Sequence, residues 1–261
     1  MPYTALVTGA TSGMGLEYCR QLAAMGHNVV MVSNQADLLS TLPPALSAEF
    51  GVAAIGRYQD LAAADAADEL FRWCRSQHLE IDILISNAGS FFFHELTPEY
   101  HAKADLMLQL HAHTPTRLCM LFGEEMKRRG SGFIIIVSSL AAALPFPGIT
   151  VYNATKAYLK NFAKSLYFEM RPYGVGVTSV IPGAIATPLY GLKPSLMELG
   201  VKAGIIMRPA WLVRRALRGM FHHRRVVRPG ASNYYMPPML RLLPSSIEAK
   251  LWRRLKNTLC Q

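Results

Sequence analysis

The feature that most limits what this chain can become is a series of short apolar runs separated by helix-length stretches. Runs of this kind cover residues 3–8, 28–33, 81–85, 132–138 and 175–181, with a weaker one at 52–58. Between them, helical periodicity is expected over 16–25, 36–50, 62–78, 98–129 (interrupted or bent near Pro115) and 151–173. Gly26 and Gly51 follow the first two of these and read as helix stops. Strands that are apolar throughout have no face left for water. They therefore predict a parallel sheet covered by helices on both sides, a doubly wound α/β fold. Such sheets bind ligands beyond the carboxyl ends of their strands. With 51% hydrophobic and only 17% charged residues, the 261-residue chain has enough apolar surface to fold as one domain over 1–261. No repeat or linker interrupts it.

The first β-to-α junction is Thr8-Gly9-Ala10-Thr11-Ser12-Gly13-Met14-Gly15. Glycines there permit a tight turn and close backbone approach, and leave helix-start N–H groups free for a pyrophosphate. An ordinary tight turn is the alternative, and the position at the first strand-to-helix junction favours dinucleotide binding.

The turn resembles that of the short-chain dehydrogenase/reductase family, Thr-Gly-x-x-x-Gly-x-Gly, and further motifs follow in family order to about residue 230. Asp60-Leu61 is similar to the acidic–apolar pair that contacts adenine. Asn87-Ala88-Gly89 and Ser138-Ser139 close later strands. Tyr152-Asn153-Ala154-Thr155-Lys156 matches Tyr-x-x-x-Lys, and Pro182-Gly183-Ala184-Ile185-Ala186-Thr187 matches the stretch that meets the nicotinamide. The resemblance implies a Rossmann-type oxidoreductase with Ser139, Tyr152 and Lys156 as catalytic residues. It implies a cofactor site formed from Gly9, Thr11, Ser12, Gly13, Met14, Gly15, Ser33, Asn34, Asp60, Leu61, Asn87, Ala88, Gly89, Pro182, Gly183, Ile185 and Thr187, with Tyr152 and Lys156 also facing it. No metal site is expected.

The residue types suit the chemistry. Tyr152 and Lys156 are four apart, so one helix face presents both. A phenol has a pKa of about 10, and a nearby ammonium lowers it. Tyr152 can then give a proton to a carbonyl oxygen, or take one back. Ser139 would hydrogen-bond that oxygen. One departure stands out. Where the family often has an Asn that anchors a proton-relaying water, the chain has His111. A neutral imidazole can donate and accept hydrogen bonds. His111 therefore reads either as a substitute in the relay or as a satisfied core histidine.

Nicotinamide choice is expected to fall at the end of the second strand, where a carboxylate selects NAD and a base selects NADP. Here Ser33-Asn34-Gln35 supplies neither. The missing acid removes the main barrier to the phosphate, so NADP(H) is favoured over NAD(H) and an NADPH-dependent carbonyl reductase is the leading reading; an NAD-dependent secondary-alcohol dehydrogenase and a non-catalytic nucleotide-sensing binding protein are the alternatives.

A greasy stretch, about 184–207, containing Leu189, Tyr190, Leu192, Leu196 and Met197, predicts a substrate loop. Phe91-Phe92-Phe93 would border the same cleft. Apolar walls suit a hydrophobic small-molecule ketone or acyl substrate; core or interface packing is the alternative. The tail is loosely similar to those of steroid and long-chain 3-keto reductases, implying a lipid-like 3-keto substrate, such as a 3-ketoacyl chain or 3-ketosphinganine. The family also implies a homodimer or homotetramer through the long helices.

The net charge of +10 lies in the tail. From Lys202 to Gln261 there are thirteen Lys and Arg against one acid, Glu248. Ser245-x-x-Glu248 reads as a capping box opening a basic amphipathic helix over about 245–259, with Ile247, Leu251, Leu255 and Leu259 in one stripe. Such a helix docks on protein or lies on an anionic membrane surface. Nucleic-acid binding through Arg214, Arg215, Arg218, Arg224, Arg225 and Arg228 is not expected, because no recognised motif accompanies the charge. Four scattered cysteines and no evident signal peptide or spanning segment point to a cytoplasmic protein, with peripheral membrane contact as an option.

Overall fold

Each apolar run sends alternate side chains to opposite faces, and both faces are covered. In the computed structural model, Ala5 and Val7 of strand β1 (Thr4–Thr8) enter one hydrophobic cluster and Leu6 enters the other. The same split separates Ile83 and Ile85 from Leu84, and Ile135 from Ile134 and Ile136. This is why these segments lack the polar alternation of a half-exposed strand. The structure describes residues 2–143, 146–186, 198–201, 206–230, 233–235, 238, 246–247, 249–250 and 253.

In chain order, β1 is followed by α1 (Gly13–Ala24), β2 (Asn28–Ser33), α2 (Ala36–Phe50), β3 (Ala54–Tyr58), α3 (Ala66–Ser76) and β4 (Ile83–Ser86). Then come α4 (His101–Leu108), α5 (Thr114–Arg129), β5 (Gly132–Val137), α6 (Thr150–Met170), β6 (Val175–Val180), α7 (Pro209–Phe221) and β7 (Val226–Val227). The described strands form one parallel sheet of order β3-β2-β1-β4-β5-β6-β7. Side chains of α1, α2 and α7 cover one face; those of α3, α5 and α6 cover the other. The winding reverses between β1 and β4, which opens a crevice at their carboxyl ends.

Two elements add to the sequence expectation. The long 98–129 helix departs from α geometry at Gln109–His113, just before Pro115, where the chain makes a π turn and the Thr114 N–H donates to the Gln109 carbonyl. Proline has no N–H and its ring crowds the carbonyl four residues back. The wider turn accommodates both without breaking the helix, and puts His111 inside the protein. The other is the α7–β7 unit, which the strand and helix assignments omit. Leu212, Val213, Ala216, Leu217 and Met220 of α7 are buried as one apolar stripe, with Pro209 at the helix start.

Where a substrate loop is expected, the chain forms a neck at Ile185 and Met207, which make an isolated parallel bridge. Ala186 N–H donates to the Met207 carbonyl at 3.0 Å and Met207 N–H to the Ala184 carbonyl at 2.9 Å. Beyond the neck, Glu198–Val201 is helical. Thr187, Leu189, Tyr190, Leu192, Leu196 and Met197 lie outside the described residues. So do Ser245, Glu248, Leu251, Leu255 and Leu259 of the expected tail helix. The residues described there, Ser246, Ile247, Ala249, Lys250 and Arg253, are helical and exposed.

Candidate active site

The crevice at the β1/β4 switch is a cleft of about 300 Å³. The glycine turn forms one wall, through Gly9, Ser12, Gly13 and Met14. Asn87, Ala88, Gly89 and Ser90 after β4 form the floor. Ser138 and Ser139 after β5, Tyr152 and Lys156 of α6, His111, and Pro182 with Ile185 after β6 complete it. Six segments far apart in sequence thus meet because a parallel sheet brings all its strand ends to one edge.

The turn is as tight as its glycines suggest. A Cβ on Gly15 would lie 1.9 Å from the Gly9 carbonyl oxygen, and Gly9 itself has φ +64°. Only glycine allows both. Helix α1 starts at Gly13, and its first intrahelical bond runs from the Leu16 N–H to the Ser12 carbonyl. Ser12 makes no side-chain cap. The N–H groups of Gly13, Met14 and Gly15 are therefore those the helix leaves unused, at the positive end of its dipole. That cradle fits a dinucleotide's pyrophosphate.

Thr8 fixes the floor. Its buried hydroxyl accepts the N–H groups of Asn87 (2.9 Å) and Ala88 (3.0 Å) and donates to the Ile85 carbonyl (3.3 Å). Asn87 answers by donating its side-chain amide to the Thr8 carbonyl at 3.0 Å. Asn87 thus ties β4 to β1, and motif reading alone does not reveal Thr8 as its partner.

The candidate catalytic set is assembled by α6. Ser138 Oγ donates to the Lys156 carbonyl at 2.6 Å, pinning the helix to the end of β5. Lys156 is buried, and its ammonium donates to the Val137 carbonyl at 3.3 Å. Burial lowers its pKa to about 8, so at neutral pH it remains mostly charged. The ammonium lies 5.6 Å from the centroid of the Tyr152 ring. Phe91 packs edge-on against the same ring at 5.0 Å, an apolar wall beside the phenol. Ser139 Oγ accepts the Ala141 N–H at 3.1 Å, which leaves its own proton available for an acceptor in the cleft.

His111 is fully buried and both ring nitrogens have protein partners. Nε2 accepts the Ser90 N–H at 3.0 Å, so the proton resides on Nδ1, which donates to Thr155 Oγ1 at 3.0 Å. Thr155 in turn donates to the Tyr152 carbonyl at 3.0 Å. Burial, and then the Lys156 charge, hold the imidazole's pKa well below its ordinary value. It is neutral at pH 7. Ser90 and Thr155 were not among the sequence-derived site residues. Their signal was present only as neighbours of the Asn-Ala-Gly and Tyr-x-x-x-Lys motifs.

Several expected cofactor residues lie outside the lining of this cleft. Ser33 is buried, and its hydroxyl is engaged by Thr11 Oγ1 at 2.8 Å and by the Gln35 N–H at 3.2 Å. Thr11 Oγ1 also donates to Gln35 Oε1 at 2.6 Å. With that proton directed to Gln35, the Ser33 proton points to Thr11. Asn34 beside it is exposed. Leu61 is buried in the core, and the exposed Asp60 accepts the Ala62 N–H at 3.0 Å. Gly183 packs against Asn233, whose buried side-chain amide donates to the Ile181 carbonyl at 3.0 Å. Among the described residues, no group of three or more His, Cys, Asp or Glu could hold a metal ion, and no helix is long and apolar enough to cross a membrane.

A doubly wound parallel sheet with an uncapped glycine turn and a Ser–Tyr–Lys set at one edge defines a nicotinamide-nucleotide oxidoreductase fold. The chain belongs to the short-chain dehydrogenase/reductase family: the short chain dehydrogenase profile matches residues 3–195. It is 33% identical over 184 residues to dehydrogenase/reductase SDR family member 4 of Pongo abelii, covering 70% of this chain and 66% of that one. It is also 33% identical over 200 residues to the very-long-chain 3-oxoacyl-CoA reductase of Homo sapiens, covering 74% and 62%. The chain therefore spans somewhat less than two thirds of the length of these relatives. A short-chain dehydrogenase from Sphingobium yanoikuyae, solved in complex with NADPH, superposes with a TM-score of 0.80 at 26% identity, covering 100% of this chain and 99% of that one.

Proposed function

We propose that this chain, acting as one domain over 1–261, is an NADPH-dependent carbonyl reductase for a hydrophobic, lipid-like 3-keto substrate. The observation that carries the reading is the meeting of Ser139, Tyr152 and Lys156 with the uncapped α1 turn in one cleft. Gly13, Met14 and Gly15 hold the pyrophosphate, Asn87, Ala88 and Gly89 border the dinucleotide, and Pro182, Ile185 and Thr187 meet the nicotinamide ring. When bound, the nicotinamide supplies the hydride.

The protein's part is position and proton. Ser139 donates a hydrogen bond to the carbonyl oxygen. Tyr152 gives its phenolic proton to that oxygen as negative charge develops there. The Lys156 ammonium stabilises the phenolate left behind, through its charge at close range in a buried setting. His111, with both nitrogens engaged, is a positioning residue: it fixes the Ser90 backbone on one side and Thr155 on the other. In the alcohol-to-ketone direction the same groups act in reverse.

The substrate class rests on apolar surroundings. Phe91 flanks Tyr152, and the 184–207 segment leaves the cleft rim at Ile185. The name of the 3-oxoacyl-CoA reductase relative is consistent with it. Preference for NADPH rests on the lack of an acid at 33–35 and on the NADPH complex of the structural neighbour. The engaged hydroxyl of Ser33 leaves Asn34 as the better placed donor for a phosphate there. This last point favours a second reading, an NAD-dependent secondary-alcohol dehydrogenase, because the ribose end then offers few donors to the extra phosphate. Assembly as a homodimer or homotetramer, cytoplasmic location and membrane contact through 245–259 belong to the same proposal.

Titration with NADPH and NADH, read by nicotinamide fluorescence, followed by a panel of long-chain 3-keto compounds, tests the reading. Tight NADPH binding and oxidation that vanishes in Tyr152→Phe is the expected result. Binding of neither nucleotide overturns it.

A further inference from the structure

A second concavity shares no lining residue with the candidate catalytic cleft. It measures about 260 Å³ and is formed between α7 and β7, with Arg215, Arg218, Arg224 and Arg228 in its lining beside Tyr234. The close approach of the two elements depends on Gly219. A Cβ there would collide with Val227 Cγ2, so glycine lets α7 press on β7 and bring its arginines beside Arg224 and Arg228, which flank the strand.

The backbone carrying these arginines is fixed. Thr178 Oγ1 donates to the Arg224 carbonyl at 2.8 Å. Ser179 N–H donates to the Arg225 carbonyl and Ile181 N–H to the Val227 carbonyl, both at 2.9 Å. Two guanidinium groups are further steadied on aromatic faces, Arg215 on Trp211 at 4.5 Å and Arg225 on Phe168 at 5.0 Å. Planar stacking of this kind holds an arginine in place before any ligand arrives.

None of the four pocket arginines forms an ion pair among the described residues. From residue 202 to the end the sequence holds a single acidic side chain, Glu248. The concentrated positive field reaches α6, where Arg228 and Arg225 add to burial in lowering the Lys164 pKa. Four like charges around one pocket repel one another, and an anion of more than one charge relieves that repulsion. Guanidinium forks match phosphate oxygens in geometry as well as charge.

We propose that the Arg215–Arg218–Arg224–Arg228 pocket is a binding site for a phosphate-bearing ligand with two or more negative charges, separate from the nucleotide cleft. The ligand is a phosphate ester in solution or the phosphorylated headgroup of a lipid; the chemistry recognised is the same. The site does not depend on the reading of the catalytic cleft.

The test is calorimetric titration of the full chain with inorganic diphosphate at low salt, beside Arg218→Gln/Arg224→Gln. Both replaced side chains are exposed and neither borders the cleft, so melting temperature and NADPH titration should match the parent. The expected result is diphosphate affinity at least tenfold weaker in the double variant. Any diphosphate held by the glycine turn is common to both proteins and drops out of the comparison. Vesicles of phosphatidic acid, whose headgroup is a phosphomonoester, with phosphatidylcholine, against phosphatidylcholine alone, separate the two sources. Capture of the anionic vesicles by the parent, released by diphosphate, assigns the lipid headgroup; diphosphate binding without capture assigns the soluble ester. Equal diphosphate affinity in parent and variant, or no binding by either, overturns the proposal.

Discussion

Replacing Thr8 by Val removes one oxygen and keeps the shape, yet the structure predicts a large effect. The Thr8 hydroxyl is the acceptor for two backbone N–H groups, those of Asn87 and Ala88, and a donor to the Ile85 carbonyl. Thr8 itself is 1% exposed, so water cannot take the hydroxyl's place from the β1 side. A buried donor left without a partner costs about 1–3 kcal/mol. Asn87 and Ala88 are only half-buried, which allows some rescue by solvent. The lower half of the range then applies to each, and the sum is about 2–4 kcal/mol. Thr8→Ser is the control: it keeps all three hydrogen bonds and loses one buried methyl, about 1 kcal/mol. Urea unfolding monitored by tryptophan fluorescence reads both values from the midpoints at unchanged slope. Because Asn87 and Ala88 also border the nucleotide cleft, Thr8→Val should weaken nucleotide binding and Thr8→Ser should not. If Thr8→Val costs no more than Thr8→Ser, the hydroxyl is not the junction between β1 and β4, and the account of the floor is wrong.

Two titrations follow from buried bases. The Lys156 pKa falls from 10.5 to about 8 on folding, so between these values the unfolded chain holds the extra proton and stability rises with pH. The rise should be about 3 kcal/mol at 1.36 kcal/mol per unit; Lys156→Met should abolish it, stabilise the protein at pH 7 and eliminate turnover, and a variant with the parent's pH dependence refutes the assignment. His111 is also held below its ordinary 6.5, so protonation of the unfolded chain should destabilise the fold as pH drops below about 6.5. His111→Asn should lose that share of acid sensitivity while retaining turnover, since the imidazole positions rather than reacts; total loss of turnover would give it a specific chemical role.

The sheet was legible because burial on both faces leaves its mark on every strand, as in Ile134-Ile135-Ile136. The glycine turn was legible because its geometry admits no other residue at Gly9 and Gly15. What escaped depends on contacts distant in sequence. β7 has two residues and exists only because β6 offers it carbonyl and N–H partners. The stripe of α7 has clear helical spacing, but the arginines interleaved with it read more strongly as a charged face. Pro115 signals a disturbance in this helix but not its form as an i-to-i+5 turn, and that form decides which way His111 points. The Thr11–Ser33–Gln35 network likewise joins the end of β2 to the glycine turn, so the engagement of Ser33 could not be read from Ser33-Asn34-Gln35 alone.

The neck at Ile185 and Met207 has a consequence for how this protein could change over time. Two backbone hydrogen bonds and one bridge close the segment off from the sheet, and neither bond uses a side chain. On the proposed reading of 184–207 as a substrate loop, the sequence between the two hinge points is a cassette that could lengthen, shorten or be exchanged for one from another family member while those points keep their spacing. Selection for a new substrate would then act there without disturbing the residues proposed to move the proton, and a laboratory graft between residues 186 and 207 would follow the route that the backbone already provides.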